Sequence, residues 1–266
     1  MRFVAIQHDI DWEDPASTRR RILDLVEAAD RSERLLLLPE LCETGFSLDL
    51  EVVADLESDG LGSERWAAEL ARRAGAWIQI GHAVRAPDGR GLNRASILAP
   101  NGDLLGTYDK IHPFTFADEH RVYAPGRRLG VFDCGGVKVC PLICYDLRFP
   151  EIWRHGVRAG AEVFTIGASW PARRRHHWRA LLIARAIENQ AFVVACNRVG
   201  RDPAHEYAGG SMVISPLGEV LAEGGEGPEA VAADLDLEGL WQWRRTFPAL
   251  ADIQARFLDG PSEHSR

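Results

Sequence analysis

Short apolar runs that stop at a charged or polar residue recur along this chain and predict buried β-strands. Three of them are Phe3 to Gln7, Leu35 to Leu38 and Val137 to Ile143. The second run consists of four consecutive leucines without polar alternation, which is typical of a strand buried on both faces. We therefore expect this strand to lie inside the protein, covered on both sides.

Other segments carry apolar residues at helical spacing and predict amphipathic helices. The first begins at Asp14-Pro15, with the aspartate as N-cap and the proline in the first turn, and runs to about Arg31. Another begins with Ser63 as its N-cap. Residues 41 to 60 carry acidic side chains without a helical or strand period and predict a loop.

The order of the predicted elements indicates a fold class. Asn101-Gly102 and Gly135-Gly136 lie between apolar runs and predict the turns of β-hairpins. Because helices alternate with strands and some strands are joined as hairpins, we predict an α/β fold. Two mixed sheets with helices on their outer faces are favoured over a doubly wound parallel sheet. No repeat or linker divides the chain, so we predict one domain over residues 1–260 and a frayed tail over 261–266.

Composition and charge narrow the class of protein. Of the 266 residues, 46% are hydrophobic and 26% are charged, which is typical of a globular protein with a full core. The formal net charge of -8 argues against a nucleic-acid partner. No apolar run approaches the roughly 18 residues of a membrane span, and the N-terminus has no signal-peptide pattern. Five cysteines without a framework spacing favour reduced thiols and a cytoplasmic location.

Three reactive side chains directly follow predicted strands: Glu40, Lys110 and Cys144. Taken singly, each has a plainer interpretation as a surface glutamate, a solvated lysine or a core cysteine. Strand ends on one edge of a sheet can converge, however, and a carboxylate, an ammonium and a thiol in one place form a coherent catalytic set. We therefore expect these three side chains to meet.

The chemistry that such a set supports is acyl transfer through a thioester. A free thiol has a pKa of about 8.5 and becomes a strong nucleophile when it loses its proton. Glu40 can act as base toward the thiol of Cys144, then as acid toward a leaving amine, then as base toward water. Lys110 and the backbone N–H of Tyr145 can stabilise the developing oxyanion.

Three sequence blocks carry these residues, and in this order they resemble the signature blocks of the nitrilase superfamily of carbon–nitrogen hydrolases. The blocks are Pro39-Glu40, Tyr108 to His112 and Cys144 to Glu151. The resemblance implies a four-layer α-β-β-α sandwich, commonly dimerised through its sheets, and hence a homodimer or a higher homo-oligomer. It also implies that Glu40, Lys110 and Cys144 form a catalytic triad and that a second glutamate, Glu119, orients the lysine and the substrate.

Further blocks indicate a branch of the superfamily, and these look most like the bacterial omega-amidases. They are Ala168 to Pro171, His177-Trp178, Ala184 to Gln190 and Cys196 to Gly200. The resemblance implies a small-molecule amide substrate, 2-oxoglutaramate or 2-oxosuccinamate, that is hydrolysed to the 2-oxo acid and ammonia. An N-carbamoyl or other linear-amide hydrolase would share the triad. A non-catalytic binding or scaffold protein on the same fold is disfavoured, because it would have no reason to keep the triad and Glu119.

A substrate of this kind carries a carboxylate, for which a bidentate arginine is the suited partner. Arg174 and Arg198 follow predicted strand ends and are the two candidates. Arg148, beside the nucleophile, is expected to pair with Asp146 or Glu151 instead.

Two further interpretations concern the pocket wall and cofactors. Trp170 follows a predicted strand and is expected to line the pocket, with a core tryptophan as the alternative. The chain has no GxGxxG or P-loop spacing, so no nucleotide cofactor is predicted. His176 and His177 lack the spacing of metal ligands with the cysteines, so we predict no metal site.

Overall fold

The computed structural model describes residues 1–29, 34–56, 62–254, 256 and 258, and its strands pair into two mixed sheets and a short hairpin. In chain order the strands are β1 (Arg2–Gln7), β2 (Arg34–Leu37), β3 (Ala54–Leu56), β4 (Trp77–Arg85), β5 (Gly91–Leu98), β6 (Leu104–Asp109), β7 (Phe132–Asp133), β8 (Lys138–Ile143), β9 (Val163–Ala168), β10 (Phe192–Asn197), β11 (Val199–Arg201), β12 (Glu206–Ala208), β13 (Met212–Ile214), β14 (Val220–Glu223) and β15 (Glu229–Asp234).

The helices lie between these strands. The α-helices are α1 (Pro15–Ala28), α2 (Leu50–Val53), α3 (Ser63–Ala74), α4 (Glu119–Val122), α5 (Pro150–Arg158), α6 (Arg175–Asn189) and α7 (Leu237–Thr246). Short 3₁₀ helices are Thr115–Ala117, Cys144–Arg148, Ala172–Arg174 and Ala249–Asp252. None of the helices in the described residues combines the length and the apolarity that crossing a lipid bilayer requires.

Each sheet has a parallel centre and antiparallel edges. The first has the order β15-β1-β2-β4-β5-β6, with β3 also paired to β4, and its β1, β2, β3 and β4 run parallel. The second has the order β14-β13-β10-β9-β8-β7, and its β8, β9 and β10 run parallel. In the first sheet, Leu37 pairs with Ala5 on one side and with Gln79 on the other. The hairpin β11–β12 stands apart from both sheets.

Side chains that alternate along each strand enter different layers of the core. One layer lies between the two sheets and includes Phe3, Leu35, Leu37, Val163 and Val194. A second layer packs the outer face of the first sheet on α1 and α3, and includes Val4, Leu36, Ile78, Ile22 and Leu70. A third packs the outer face of the second sheet on α5 and α6, and includes Leu142, Ile166, Trp153 and Leu182. The predicted four-layer α-β-β-α sandwich of two mixed sheets is therefore confirmed.

Two glycines let the sheets approach each other where β2 ends. A Cβ added at Gly81 of β4 would lie 2.6 Å from the carbonyl oxygen of Pro39, and one at Gly167 of β9 would lie 2.7 Å from that of Leu38. These separations are shorter than real Cβ contacts, so a side chain at either position would displace the backbone. The segment that carries Glu40 is thus held between the two sheets.

Most predicted elements are confirmed, and the exceptions have physical reasons. The Asp14 side chain accepts a hydrogen bond from Ser17 N–H and caps α1, but the helix ends at Ala28, and the expected end near Arg31 lies outside the described residues. Ser63 is wrong as an N-cap, because Gly62 occupies the cap position and α3 begins at Ser63 itself.

The prediction of a loop over residues 41–60 is also wrong in part. This stretch contains α2 and β3, and β3 forms because β4 offers it a parallel partner, which no local pattern reveals. The hairpin β11–β12 is a further element that the sequence pattern did not indicate. The predicted frayed tail over 261–266 lies outside the described residues.

Candidate active site

Cys144 lies where β8 ends and the chain turns sharply into the 3₁₀ helix Cys144–Arg148. Its φ is +43°, in the left-handed region that residues other than glycine rarely adopt. The residue is partly exposed, and its thiol donates a hydrogen bond to the carboxylate of Glu40 and faces the backbone N–H of Ser169. The turn thus presents the sulfur to a base while its own backbone stays fixed by the strand.

Lys110 follows β6 and extends between two buried carboxylates. Its Nζ lies 2.7 Å from Glu40 Oε1 and 2.9 Å from Glu119 Oε2. All three side chains are at most 1% exposed. Glu119 begins α4, and its Oε2 also accepts a hydrogen bond from Phe114 N–H. The structure therefore brings together the four side chains that sequence analysis singled out for catalysis.

Asn93 completes this network, although no pattern in the sequence indicates it. Its Nδ2 lies 2.9 Å from Glu40 Oε1 and 2.8 Å from Glu119 Oε1, so one amide group donates to both carboxylates. Asn93 is buried in the middle of β5. A polar residue inside a predicted hairpin strand usually faces solvent, so only the tertiary structure reveals this contact. A buried carboxylate is costly unless it is hydrogen-bonded, and Asn93 meets part of that need.

The charges of the network determine the protonation of its members. Burial alone would lower the pKa of Lys110, but the carboxylates of Glu119 and Glu40 outweigh it and raise that pKa well above its ordinary value. Burial raises the pKa of Glu119, and the adjacent ammonium of Lys110 opposes this shift. Burial and the nearby Glu40 carboxylate raise the pKa of the Cys144 thiol well above its ordinary value. The lysine is therefore an ammonium and the thiol is protonated at neutral pH.

A cavity of about 320 Å³ opens beside the thiol. Glu40, Lys110 and Cys144 line it. Six aromatic side chains form much of its remaining wall: Trp12, Phe46, Phe114, Tyr145, Trp170 and Tyr207. Trp170 and Tyr145 thus lie where they were expected, although Trp170 is also largely buried and packs on Trp178. Apolar wall atoms lower the local dielectric constant, which strengthens electrostatic interactions within the cavity.

Two arginines also line the cavity, Arg148 and Arg174. The Arg174 guanidinium lies 5.4 Å from the ring centre of Phe114, and that of Arg148 lies 4.8 Å from the ring centre of Trp170. Arg148 also contacts His177. In the part of the chain that the structure describes, it forms no ion pair with Asp146 or Glu151, so the expected pair is wrong. Among the described residues, neither arginine has a carboxylate within ion-pairing distance. Both guanidiniums are therefore available to an anionic ligand.

Arg198, the second arginine candidate, does not line the cavity. Its side chain is fully buried and donates hydrogen bonds to the backbone carbonyls of Val199, Ile10 and Arg201. Its guanidinium lies 4.5 Å from the ring centre of Tyr207, which does line the cavity. Arg198 does follow a strand end, as the sequence predicted. Its guanidinium, however, donates to carbonyl groups of the hairpin and the N-terminal segment and to the Asp9 carboxylate, and among the described residues its Nη1 has no hydrogen-bond partner.

The family profile of the carbon-nitrogen hydrolases (CN_hydrolase) matches residues 4–245, which is most of the chain. This chain belongs to the carbon-nitrogen hydrolase family. The family that the three signature blocks predicted is therefore confirmed.

Several curated relatives of this carbon-nitrogen hydrolase are similar over nearly their whole length. A 2-oxoglutaramate amidase from Bacillus subtilis is 39% identical over 250 residues, which cover 94% of this chain and 96% of the relative. The omega-amidase YafV from Escherichia coli is 35% identical over 257 residues, which cover 95% of this chain and 96% of the relative. The carbon-nitrogen hydrolase is thus similar over nearly its whole length to relatives that are named as amidases.

Solved structures agree with this assignment. A CN-hydrolase superfamily protein from Xanthomonas campestris, which carries an arsenic adduct in its active site, superimposes with a TM-score of 0.88 at 35% identity. The match covers 96% of this chain and 97% of that one. An amidase from Nesterenkonia sp. AN1 in complex with acrylamide superimposes with a TM-score of 0.84 at 25% identity, covering 97% of this chain and 95% of that one.

The other cysteines of this carbon-nitrogen hydrolase are buried thiols: Cys42, Cys134, Cys140 and Cys196. In the described residues, His, Cys, Asp and Glu side chains form no group of three or more that could hold a metal ion. What the arrangement offers is a protonated thiol beside a carboxylate base, with an ammonium near both. These are the parts that nucleophilic and general acid–base catalysis require.

Proposed function

We propose that this carbon-nitrogen hydrolase is an omega-amidase that hydrolyses the terminal amide of 2-oxoglutaramate or 2-oxosuccinamate to the 2-oxo acid and ammonia. The observation that carries the proposal is the arginine pair in the cavity, Arg148 and Arg174, next to the thiol of Cys144. An amide that bears a carboxylate at its other end fits a cavity with a nucleophile and unpaired cations. The names of the relatives from Bacillus subtilis and Escherichia coli support the same substrate class.

The proposed reaction begins with the neutral thiol. Glu40 accepts the thiol proton as the sulfur of Cys144 attacks the amide carbon, and a C–S bond forms. The negative charge that develops on the amide oxygen is stabilised by Lys110 and by the backbone N–H of Tyr145. Lys110 has three N–H groups, which contact Glu40 Oε1 and both carboxylate oxygens of Glu119. The contact with Glu119 Oε1 is the longest of the three at 3.1 Å, and in the proposed reaction this N–H turns to the amide oxygen.

The tetrahedral intermediate then collapses to a thioester. Glu40 returns its proton to the nitrogen, the C–N bond breaks and ammonia leaves. A water molecule next attacks the thioester while Glu40 accepts its proton, the C–S bond breaks and the thiol is restored. Because the resting thiol is protonated, each half of the cycle uses Glu40 first as base and then as acid.

We assign the substrate carboxylate to Arg174, with Arg148 as the neighbouring cation. Burial and the charge of Arg173 lower the pKa of the Arg174 guanidinium, and the charge of Arg148 adds to this effect, which marks the two cavity charges as close in space. A carboxylate between them would relieve that repulsion and would form charge-assisted hydrogen bonds. Trp170 packs under Arg148 and keeps its guanidinium oriented.

Two features outside the site belong to the same proposal. We propose a cytoplasmic location, supported by the five cysteines, all of which are free thiols. We also propose a homodimer or higher homo-oligomer, as the family resemblance implies. Light scattering coupled to size-exclusion chromatography tests the second point, and a mass of one chain would contradict it.

Ammonia release from a panel of amides tests the function. The panel contains 2-oxoglutaramate, 2-oxosuccinamate, glutamine, asparagine and an N-carbamoyl amino acid, with Cys144→Ala as the blank. We expect turnover of the two 2-oxo amides. Turnover of the carbamoyl compound alone would favour the N-carbamoyl hydrolase, and a folded protein without any turnover would favour the scaffold.

A further inference from the structure

Asp146 lies two residues after the nucleophile and is fully buried. Its Oδ2 accepts a hydrogen bond from the backbone N–H of Ile143 at 3.1 Å, and Ile143 directly precedes Cys144. Its own carbonyl oxygen accepts from the indole N–H of Trp153 at 3.1 Å. These bonds close the turn on which Cys144 adopts its left-handed φ, a conformation that persists where the surroundings fix it.

The same carboxylate also holds the segment that carries Lys110. Its Oδ2 accepts from the Tyr108 hydroxyl at 2.7 Å, two residues before the lysine. Its Oδ1 accepts from the backbone N–H of His112 at 3.1 Å and contacts the His112 ring Nδ1 at 2.9 Å, two residues after the lysine. One side chain thus joins the chain on both sides of Lys110 to the turn of Cys144.

Asp146 cannot itself take part in proton transfer to the substrate. Its two oxygens make four contacts with donors, which is the full capacity of a carboxylate. It does not line the cavity that holds the thiol. Because its hydrogen-bonding capacity is filled and it does not reach the cavity, Asp146 can act only through the groups that it holds.

We propose that Asp146 is a positioning residue, whose carboxylate fixes the Lys110 ammonium relative to the Cys144 sulfur. The proposal deepens the proposed function and rests on it for the reaction. A displacement of about 1 Å away from the chemistry can lower turnover by about 10²-fold, so a group that sets this distance has a large effect without touching substrate.

The test is the variant Asp146→Asn. It keeps the size of the side chain, but its amide N–H group replaces one carboxylate oxygen and therefore faces the two hydrogen-bond donors that this oxygen accepts from. We expect kcat for 2-oxoglutaramate to fall by about 10²-fold, with a much smaller change in KM because Arg174 is untouched. A second readout is the pH profile of Cys144 alkylation by iodoacetamide. Lys110 lowers the pKa of the thiol, so a displaced lysine shifts this profile to higher pH.

Two further sets of variants keep the test decisive. His112→Ala removes one contact with Asp146, whereas His112→Asn keeps a side-chain N–H that can replace the ring Nδ1–H. We expect the alanine variant to lose kcat and to shift the alkylation profile, and the asparagine variant to recover both in large part. Asp133→Asn is the matched control, because it removes an exposed carboxylate near the opposite end of β8 and should change neither.

A folded Asp146→Asn variant with wild-type kcat and alkylation profile would overturn the proposal. If that variant does not fold, the two His112 variants decide. An unchanged kcat and an unchanged alkylation profile in His112→Ala would also overturn the proposal. The alkylation readout does not depend on the substrate. If the wild-type enzyme is inactive on both 2-oxo amides, the proposed function is contradicted. The pH profile of Cys144 alkylation still tests the role of Asp146 in that case.

Discussion

An alanine methyl group at Gly167 would lie 3.1 Å from the backbone nitrogen of Glu40, so the second sheet touches the strand end that carries the carboxylate. Gly81 makes the corresponding contact from the first sheet, where an added Cβ would lie 2.9 Å from the Glu40 Cα. The Glu40 carboxylate is therefore positioned by backbone packing from both sides as well as by its hydrogen bonds.

We expect Gly167→Ala and Gly81→Ala to displace the Glu40 segment. Such overpacking lowers the free energy of unfolding by about 1–3 kcal/mol, and the shifted carboxylate should lower kcat. Urea denaturation and steady-state ammonia release measure the two effects. Gly227→Ala is the matched control, because an added Cβ there meets nothing within 4 Å. Wild-type kcat in both variants would show that the close packing does not position Glu40.

Glu40→Gln should separate the ionisation of the thiol from catalysis. The Glu40 carboxylate raises the pKa of Cys144 both by its charge and by its hydrogen bond, so its removal should lower that pKa. Amide turnover should nevertheless fall by about 10²–10⁴-fold, because the proposed general acid and base is lost. Thiolate absorbance at 240 nm, with Cys144→Ser as the blank, follows the titration. An unchanged titration midpoint would mean that Glu40 does not control the thiol.

Much of the fold could be predicted because its signals are local. The leucine run of β2, the Asp14 cap and the two glycine-containing turns each act over a few residues, and the structure contains all of them. The positions of Glu40, Lys110 and Cys144 were accessible for the same reason. Each directly follows an apolar run, and a reactive residue at a strand end stands out against that pattern.

The parts that sequence analysis missed depend on contacts between distant segments. Asn93 looks like any polar strand residue until β5 is placed beside Glu40 and Glu119. Arg198 and Arg174 look alike in the sequence, since both are arginines that follow strand ends. Only the tertiary structure shows that Arg198 donates to backbone carbonyls, whereas Arg174 lines the cavity.

Lys110→Met should destabilise the protein in a pH-dependent way. The pKa of Lys110 is raised on folding, so its ammonium stabilises the fold at every pH below its ordinary value near 10.5. Removing one partner of a buried ion pair costs about 3–5 kcal/mol at pH 8. Without the ammonium, burial and the charge of Glu40 raise the pKa of Glu119 further. A group whose pKa is raised on folding stabilises at low pH, so the loss should shrink toward pH 5.

Urea denaturation at pH 5 and pH 8 measures this difference. Lys138→Met is the matched control, since Lys138 is exposed and pairs with Asp133 at the surface. It should change stability little at either pH. If Lys110→Met lowers the free energy of unfolding equally at both pH values, the expected further rise in the pKa of Glu119 is contradicted.

Arg174→Gln should weaken substrate binding without affecting the fold. A hydrogen bond to a charged group contributes about 1.5–3 kcal/mol, so kcat/KM for 2-oxoglutaramate should fall by about 10- to 100-fold, mainly through KM. Arg174→Lys should recover part of this loss, because it keeps the charge but not the bidentate geometry. Arg173→Gln is the control, since Arg173 shares the same short helix but does not line the cavity. An unchanged KM in Arg174→Gln would move the carboxylate site to Arg148.

Arg198→Gln should show the opposite behaviour, a loss of stability with little change in KM. Its guanidinium donates to three backbone carbonyls that join the N-terminal segment to the hairpin β11–β12. Each buried acceptor that is left without a donor costs about 1–3 kcal/mol, so we expect the free energy of unfolding to fall by more than about 2 kcal/mol. Arg201→Gln, an exposed change on the same hairpin, should have no such effect. If Arg198→Gln instead kept its stability and raised KM as Arg174→Gln does, the buried guanidinium would have to reach the substrate, and the cavity would have to open toward it during the reaction.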